Sequence, residues 1–276
     1  MAIYDKNLRF HESFAPDLKY ISKILELAQE YYEGEILEIS KITGIPSGVS
    51  SGKVKPSIIY ASYMGLIDYE VENCIYKLSS TDLGKIIFAE DPFLIEKVTK
   101  SIMNYNLTDK NLGAPQWCYL FKVYSGNRSI SKSDLKRDME IYFNKNNIEM
   151  GPIIGTYKND FSDLKLIDEN SDNISFNKCS VLIENVYVYG YTLLKTWEEL
   201  YPDRKEITVL EVLNDMKWGI SYGFDYDKIL EALELLEQYN IIKLNKQLSP
   251  LTIIKLENSD DIKFDLYSML ESVRLL

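Results

Sequence analysis

Histidine occurs once in 276 residues and cysteine three times. His11 has no second histidine or cysteine beside it, so no zinc-type ligand set assembles locally, and a hydrogen-bonded structural role is expected for it. Cys74, Cys118 and Cys179 are odd in number, far apart and form no CxxC pair, which argues against a disulfide framework. No apolar run approaches the about 18 residues of a membrane span. The opening MAIYDKNLRF has no apolar signal-peptide core, so a cytoplasmic location without membrane association is expected. A Walker A loop, a dinucleotide fingerprint and a GxSxG elbow are also missing. SGKVKPS holds a Gly-Lys pair but lacks the upstream glycine of a P-loop. No catalytic, cofactor-binding or metal-binding residue is expected, and the chain does not read as an enzyme.

Positive charge is scarce too. The net charge is -11, distributed as -5, +1 and -7 over residues 1–91, 92–180 and 181–276. A protein that grips DNA by bulk electrostatics is basic, because affinity comes largely from neutralised phosphates. Any DNA contact here has to use small basic patches or a partner's help.

What is present is organised around residues 34–91. A short helix with Ile36, Leu37, Ile39 and Ile42 is stopped by Gly44, since glycine tolerates the positive φ that ends helices. After the polar turn IPSGVSSGK, a second helix with Ile58, Ile59, Tyr63 and Met64 is stopped by Gly65. Leu66 and Ile67 lead into a strand, a turn at Glu72 and Asn73, and a returning strand from Ile75 to Leu78. Helix, turn, helix and ribbon is the order of a winged helix-turn-helix, whose second helix would enter a DNA groove. From Ile39 to Ile67 there is no acidic residue, while Lys41, Lys53 and Lys55 are present. GKVKPS also opens a helix, where free N–H groups favour a phosphate. Winged helices serve as protein–protein modules as well, and that use stays open.

Upstream, Leu18, Ile21, Ile24 or Leu25, and Ala28 fall at helical spacing. Downstream, Ser80 or Thr81 caps a helix bearing Leu83, Ile86 and Ile87. Residues 93–125 read as helical, with Leu94, Ile95, Val98, Ile102 and Met103 on one face. Trp117, Tyr119, Phe121 and Tyr124 could stack bases, but core packing is the better reading of such a row.

The logic repeats from Ser131. SKSDLKRDMEIYFNK is a helix with Leu135 and Met139 inside and Lys132, Lys136 and Arg137 outside. Pro152 opens a further helix striped by Ile154, Tyr157, Phe161 and Leu164, and Leu166-Ile167-Asp168 enters a ribbon turning at ENSDN. Thr156, Lys158, Asn159 and Ser162 on its polar face suit phosphate and base-edge contacts. A third, looser copy ends in the helix DYDKILEALELLEQYN, a ribbon and a closing helix, DDIKFDLYSMLESVRLL. Asp225, Asp227, Glu231, Glu234 and Glu237 on its candidate recognition helix would repel phosphate.

These motifs, in order over nearly the whole chain, resemble the uncharacterised prokaryotic domain-of-unknown-function family four thousand and seven. The resemblance lies in FHESFAP, in GVSSGKVKPSIIYASYMGLI, in LGKIIFAEDPF, in the aromatic patch at Trp117, in Leu135 to Met139 and in Leu164 to Ile167. The arginine and tryptophan usual in the family's first recognition helix are replaced around Ile59 and Ala61. Such proteins tend to be encoded beside phosphorothioation-type DNA-modification genes, including sulfurtransferase-like partners, and in phage-defence neighbourhoods. The resemblance implies a DNA-directed accessory role.

The expected fold is mainly α (α+β): tandem winged helix-turn-helix units with small β-ribbon wings joined by helices. The expected domains are 1–91, 92–180 and an acidic 181–276. The expected function is that of a DNA-binding accessory or regulatory protein of a modification or defence system. The alternative is a non-catalytic adaptor in a sulfurtransferase or defence complex. DNA, plain or phosphorothioate-modified, would meet Ser51, Lys53, Lys55, Ser57 and Tyr60 in the first unit and Lys136, Arg137, Thr156, Lys158 and Asn159 in the second. A protein partner would dock on the acidic C-terminal region. No cofactor is expected.

Overall fold

A computed structural model describes residues 7–48, 52–247 and 249–270. The chain divides into two compact units that meet at Asn177 and Lys178. The segments expected as 1–91 and 92–180 thus fall together, up to Asn177, in the first unit.

One order of elements recurs three times. It runs first through α1 (Leu18–Ala28), β1 (Glu33–Glu35), α2 (Ile36–Thr43), α3 (Val54–Tyr63), β2 (Ile67–Glu72) and β3 (Ile75–Ser80). Two helices follow, α4 (Asp82–Glu90) and α5 (Lys97–Leu107). The second copy is α6 (Pro115–Cys118) with a wider turn over Tyr119–Val123, β4 (Ser129–Ser131), α7 (Lys132–Phe143), α8 (Gly151–Lys158), β5 (Ile167–Glu169) and β6 (Asn173–Phe176). The second unit holds the third copy: α9 (Val186–Leu200), β7 (Glu206–Thr208), α10 (Val209–Asn214), α11 (Tyr226–Gln238), β8 (Ile242–Asn245) and β9 (Thr252–Lys255), followed by α12 (Ser259–Ile262). Each copy closes a three-stranded antiparallel sheet of the same order, β1-β3-β2, β4-β6-β5 and β7-β9-β8. The class is α+β, with small sheets and more helix than strand.

Local chemistry sets the boundaries. Gly44 stops α2 at φ 68° and Gly65 follows α3 at φ 77°, conformations that cost other residues a Cβ clash. Asn73 and Cys74, both at positive φ, make the tight turn between β2 and β3, as a two-residue hairpin requires. Thr81 caps α4 by accepting the Gly84 N–H at 2.8 Å, and Ser131 caps α7 through Asp134 N–H at 3.0 Å.

The long helix expected over 93–125 is corrected. Asp91, buried, accepts the N–H groups of Ile95 and Glu96 and the Thr99 hydroxyl. This starts the helix only at Lys97 and leaves Ile95 exposed. A turn through Thr108–Gly113 then separates α5 from α6. The closing segment likewise begins as two short helices, Ser259–Ile262 and Lys263–Asp265, and residues 271–276 lie outside the described residues.

At Gly84 a Cβ would stand 1.9 Å from the Leu66 carbonyl oxygen. Backbone cannot retreat as a side-chain tip can, so Gly84→Ala should cost about 1–3 kcal/mol in urea unfolding, as overpacking does.

In the second unit, Tyr189, Trp218, Tyr222 and Phe224 form one ring cluster. Buried Thr192 serves two of these rings, accepting from Trp218 Nε1 at 3.0 Å and meeting Tyr222 OH at 2.7 Å. Half-buried Glu211 closes a capping box with Thr208 and receives the Arg204 guanidinium at 2.5 and 3.1 Å. The Arg204 hydrogen bonds hold its pKa at about 2, below the ordinary 4.5. A carboxylate depressed in this way stabilises the fold fully above its ordinary pKa. The contribution is lost as pH falls from 4.5 towards about 2. Glu211→Gln should flatten the acid limb of the stability profile in that window and leave the rest of the profile parallel.

Candidate nucleic-acid interface

The first expected contact helix is a core element. Seven residues of α3 are buried, from Val54 through Ala61 with Lys55 the exception, and the helix packs on α1, α2, α5 and β2. It has no broad open face to lay in a groove. Two expected contacts are corrected accordingly. Ser57 is buried and its hydroxyl donates to the Lys53 carbonyl at 2.6 Å. Tyr60 is buried, donates to the Phe14 carbonyl at 2.9 Å, and has its phenol pKa pushed up by burial. Ser51 lies outside the described residues.

What remains open is the N-terminal corner. Lys53 immediately precedes α3, its ammonium 5.5 Å from the Phe14 ring centroid and 5.1 Å from that of Tyr20. These cation–π contacts hold the charge in place without neutralising it. Lys55 is exposed, with Glu12 at 3.6 Å across water-accessible space. An exposed pair of this kind is worth little and exchanges readily for a phosphate.

In the second copy, Thr156 is corrected for the same reason as Ser57. It is fully buried, donating to Pro152 O at 2.9 Å and accepting from Trp117 Nε1 at 3.2 Å. Lys158 and Asn159 are exposed at the C-terminal end of α8, where the helix dipole disfavours an anion. Lys158 also contacts Glu169 at 3.3 Å. Glu169 receives Lys132 as well, and these two ammonium groups lower its pKa. On α7, Arg137 is exposed beside Asp134 at 2.9 Å and half-buried Lys136 lies 3.8 Å from Glu140. All the described cations of the expected interface except Lys53 therefore have a carboxylate within 4 Å.

The acidic strip of α11 is quieter than its sequence. Asp225 caps the helix and meets Lys178 at 2.6 Å; Glu231 meets Lys228 at 2.5 Å and Glu234 meets Lys246 at 2.7 Å. Glu237 accepts the Leu244 N–H at 2.7 Å. Lone His11 is buried against Phe10 and Trp117, its Nδ1 accepting the Ser13 N–H at 3.1 Å, and burial lowers its pKa.

One feature was not foreseen from the sequence. A cleft of about 270 Å³ opens between α8 and β5, floored by Leu120, Ile153, Tyr157 and Ile174. Its components lie up to 54 positions apart, and no local pattern announces it.

No family model and no curated relative matches the chain. Two solved structures share its fold: an SspB crystal structure, at 15% identity and a TM-score of 0.78, and a magnesium ion-bound SspB crystal structure, at 15% identity and 0.74. Each covers 96% of this chain and 88% of the other. At this identity the likeness is one of fold.

Proposed function

We propose that this chain is a DNA-binding accessory protein of a phosphorothioation-type modification or phage-defence system, built from three tandem winged-helix units. The threefold order helix, strand, helix, helix, hairpin supports the architecture. The observation that carries the binding reading is the corner at α3. There Lys53 and Lys55 precede and open a helix within a stretch, 39–67, free of carboxylates in an otherwise acidic chain. Two ammonium groups beside the N-terminal, positive end of a helix dipole are the chemistry of phosphate capture. The contact is a corner contact, made to the backbone of DNA, since the buried face of α3 leaves little to read base edges.

The family resemblance supports the modification or defence setting. A mobility-shift assay on matched plain and phosphorothioate duplexes tests the reading. A shift with either duplex supports it, a preference for one defines the substrate, and no shift removes it.

Magnesium, bound in one of the SspB structures, is taken by oxygen ligands, commonly one or two carboxylates with waters. Among the described residues no three carboxylate, histidine or cysteine groups gather into a cage, and no residue of this chain is assigned to the ion.

A second reading, an adaptor holding a sulfurtransferase-like or defence complex together, is favoured by the carboxylate partners of most interface cations. Co-purification from the native host separates the two: a stable protein complex that persists after nuclease treatment supports the adaptor.

A further inference from the structure

We infer that the cleft between α8 and β5 is a docking site for an extended acidic peptide of a partner protein, which adds a strand to the second sheet. β5 is an edge strand of that sheet, paired on one side only, to β6. The direction of its backbone groups follows from the register. Phe176 sends its N–H to Arg128, on the β4 side, and Asn177 sends its N–H to Leu166. The pair Ile167 and Phe176 is therefore one that exchanges no hydrogen bonds, and pairs alternate along an antiparallel ladder. Ile167 and Glu169 thus point N–H and C=O outward, towards the free edge. All three residues of β5 line the cleft. Side chains of a strand alternate between faces, so a cleft that touches three in a row runs along the edge instead of over one face.

The opposite wall is α8, and the floor of Leu120, Ile153, Tyr157 and Ile174 is apolar and buried. An edge that offers outward donors and acceptors, next to an apolar slot, is the geometry of strand addition. Main-chain bonds hold the peptide, and the slot takes one aliphatic side chain. The rim sets the charge of the occupant. Lys158 and Lys165 line it, and Lys132 reaches Glu169 beside it, three ammonium groups against the carboxylates of Asp168 and Glu169. The lining itself balances, Lys158 and Lys165 against Asp168 and Glu169, and Lys132 beside it leaves one positive charge in surplus, in the one third of the chain that is not acidic overall. This inference stands apart from the α3 corner, since it uses neither Lys53 nor Lys55, and it assigns Lys158, an expected DNA contact, to the cleft rim instead.

The test is an amide-resolved NMR titration of the full chain with a hexapeptide carrying valine-isoleucine at its centre and glutamates on both sides. The expected result is saturable binding in which the amides of Ile167 and Glu169 shift and gain exchange protection while that of Asp168, already in the ladder, does not. Lys165→Glu should weaken binding about tenfold, and Ile154→Trp, placed at the cleft, should block it while the amide spectrum elsewhere stays folded. Absence of saturation at millimolar peptide overturns the inference, as does binding that leaves Ile167 and Glu169 unchanged. A deoxythymidine decamer that produces these shifts when the peptide does not would overturn it in favour of a nucleic-acid slot.

Discussion

Trp117→Ala should lower stability by about 3–5 kcal/mol, the range for truncating a buried aromatic, and should make the first unit the first part to unfold in urea. Trp117 is fully buried and packs on Phe10, His11 and Tyr60 at centroid distances of 5.9, 6.5 and 5.7 Å. Its indole N–H reaches Thr156 in α8. This side chain therefore joins the N-terminal segment and α3 of the first copy to the third helix of the second. Other ties cross the same junction: Gln116 to the Leu8 carbonyl at 2.6 Å, Asp160 to the Leu18 N–H at 2.8 Å, and Tyr157 to Asn104 at 2.8 Å. They explain why two copies make one compact unit. Trp117→Phe keeps most of the apolar packing and removes one hydrogen bond, so it should cost less than the alanine by several kcal/mol, about 1 for the bond itself. Amide exchange read at α3 and α8 checks both: the alanine variant should raise exchange at both helices together. If only α8 responds, the junction account fails.

The second large effect is on binding. Lys53→Glu with Lys55→Glu reverses two charges at the α3 corner and should reduce DNA affinity at low salt by about tenfold or more. Because Lys53 lies over the Phe14 and Tyr20 rings, glutamate there forgoes an attraction worth about 0.5–1 kcal/mol, too little to unfold the unit. Circular dichroism should therefore be unchanged. Lys85→Glu, which alters an exposed pair with Asp82 on α4, serves as the control and should leave affinity within about twofold. Unchanged affinity in the double variant would sink the α3 corner as the site.

The sequence carried the local half of this structure. The turn through Asn73, the cap at Thr81 and the apolar spacing of α1 were all readable, because each depends on residues within a few positions. The three short strands β1, β4 and β7 were not. Each has only three residues, too few to show alternation, and β1 pairs with a strand some forty positions on, Glu33 against Lys77. Burial of polar groups was equally hidden. Ser57, Tyr60 and Thr156 have the chemistry of DNA contacts, and two of them are engaged by partners remote in sequence. Tyr60 meets Phe14 across 46 positions, and Thr156 meets Trp117 across 39. A hydroxyl satisfied inside looks, in sequence, the same as one free outside. Lys55, Arg137 and Lys158 were legible as surface cations, and so was Asp134 three positions before Arg137, but Glu12 and Glu169, remote in sequence from Lys55 and Lys158, were not.

The salt dependence of duplex binding tests the central claim most directly. With few cations at the interface, log K against log salt should fall with a shallow slope of about -2 to -4, and the Lys53→Glu, Lys55→Glu variant should flatten it by about 2, one for each phosphate that is no longer neutralised. No saturable binding to plain or phosphorothioate duplex at the lowest salt would contradict the account and leave the adaptor reading in its place.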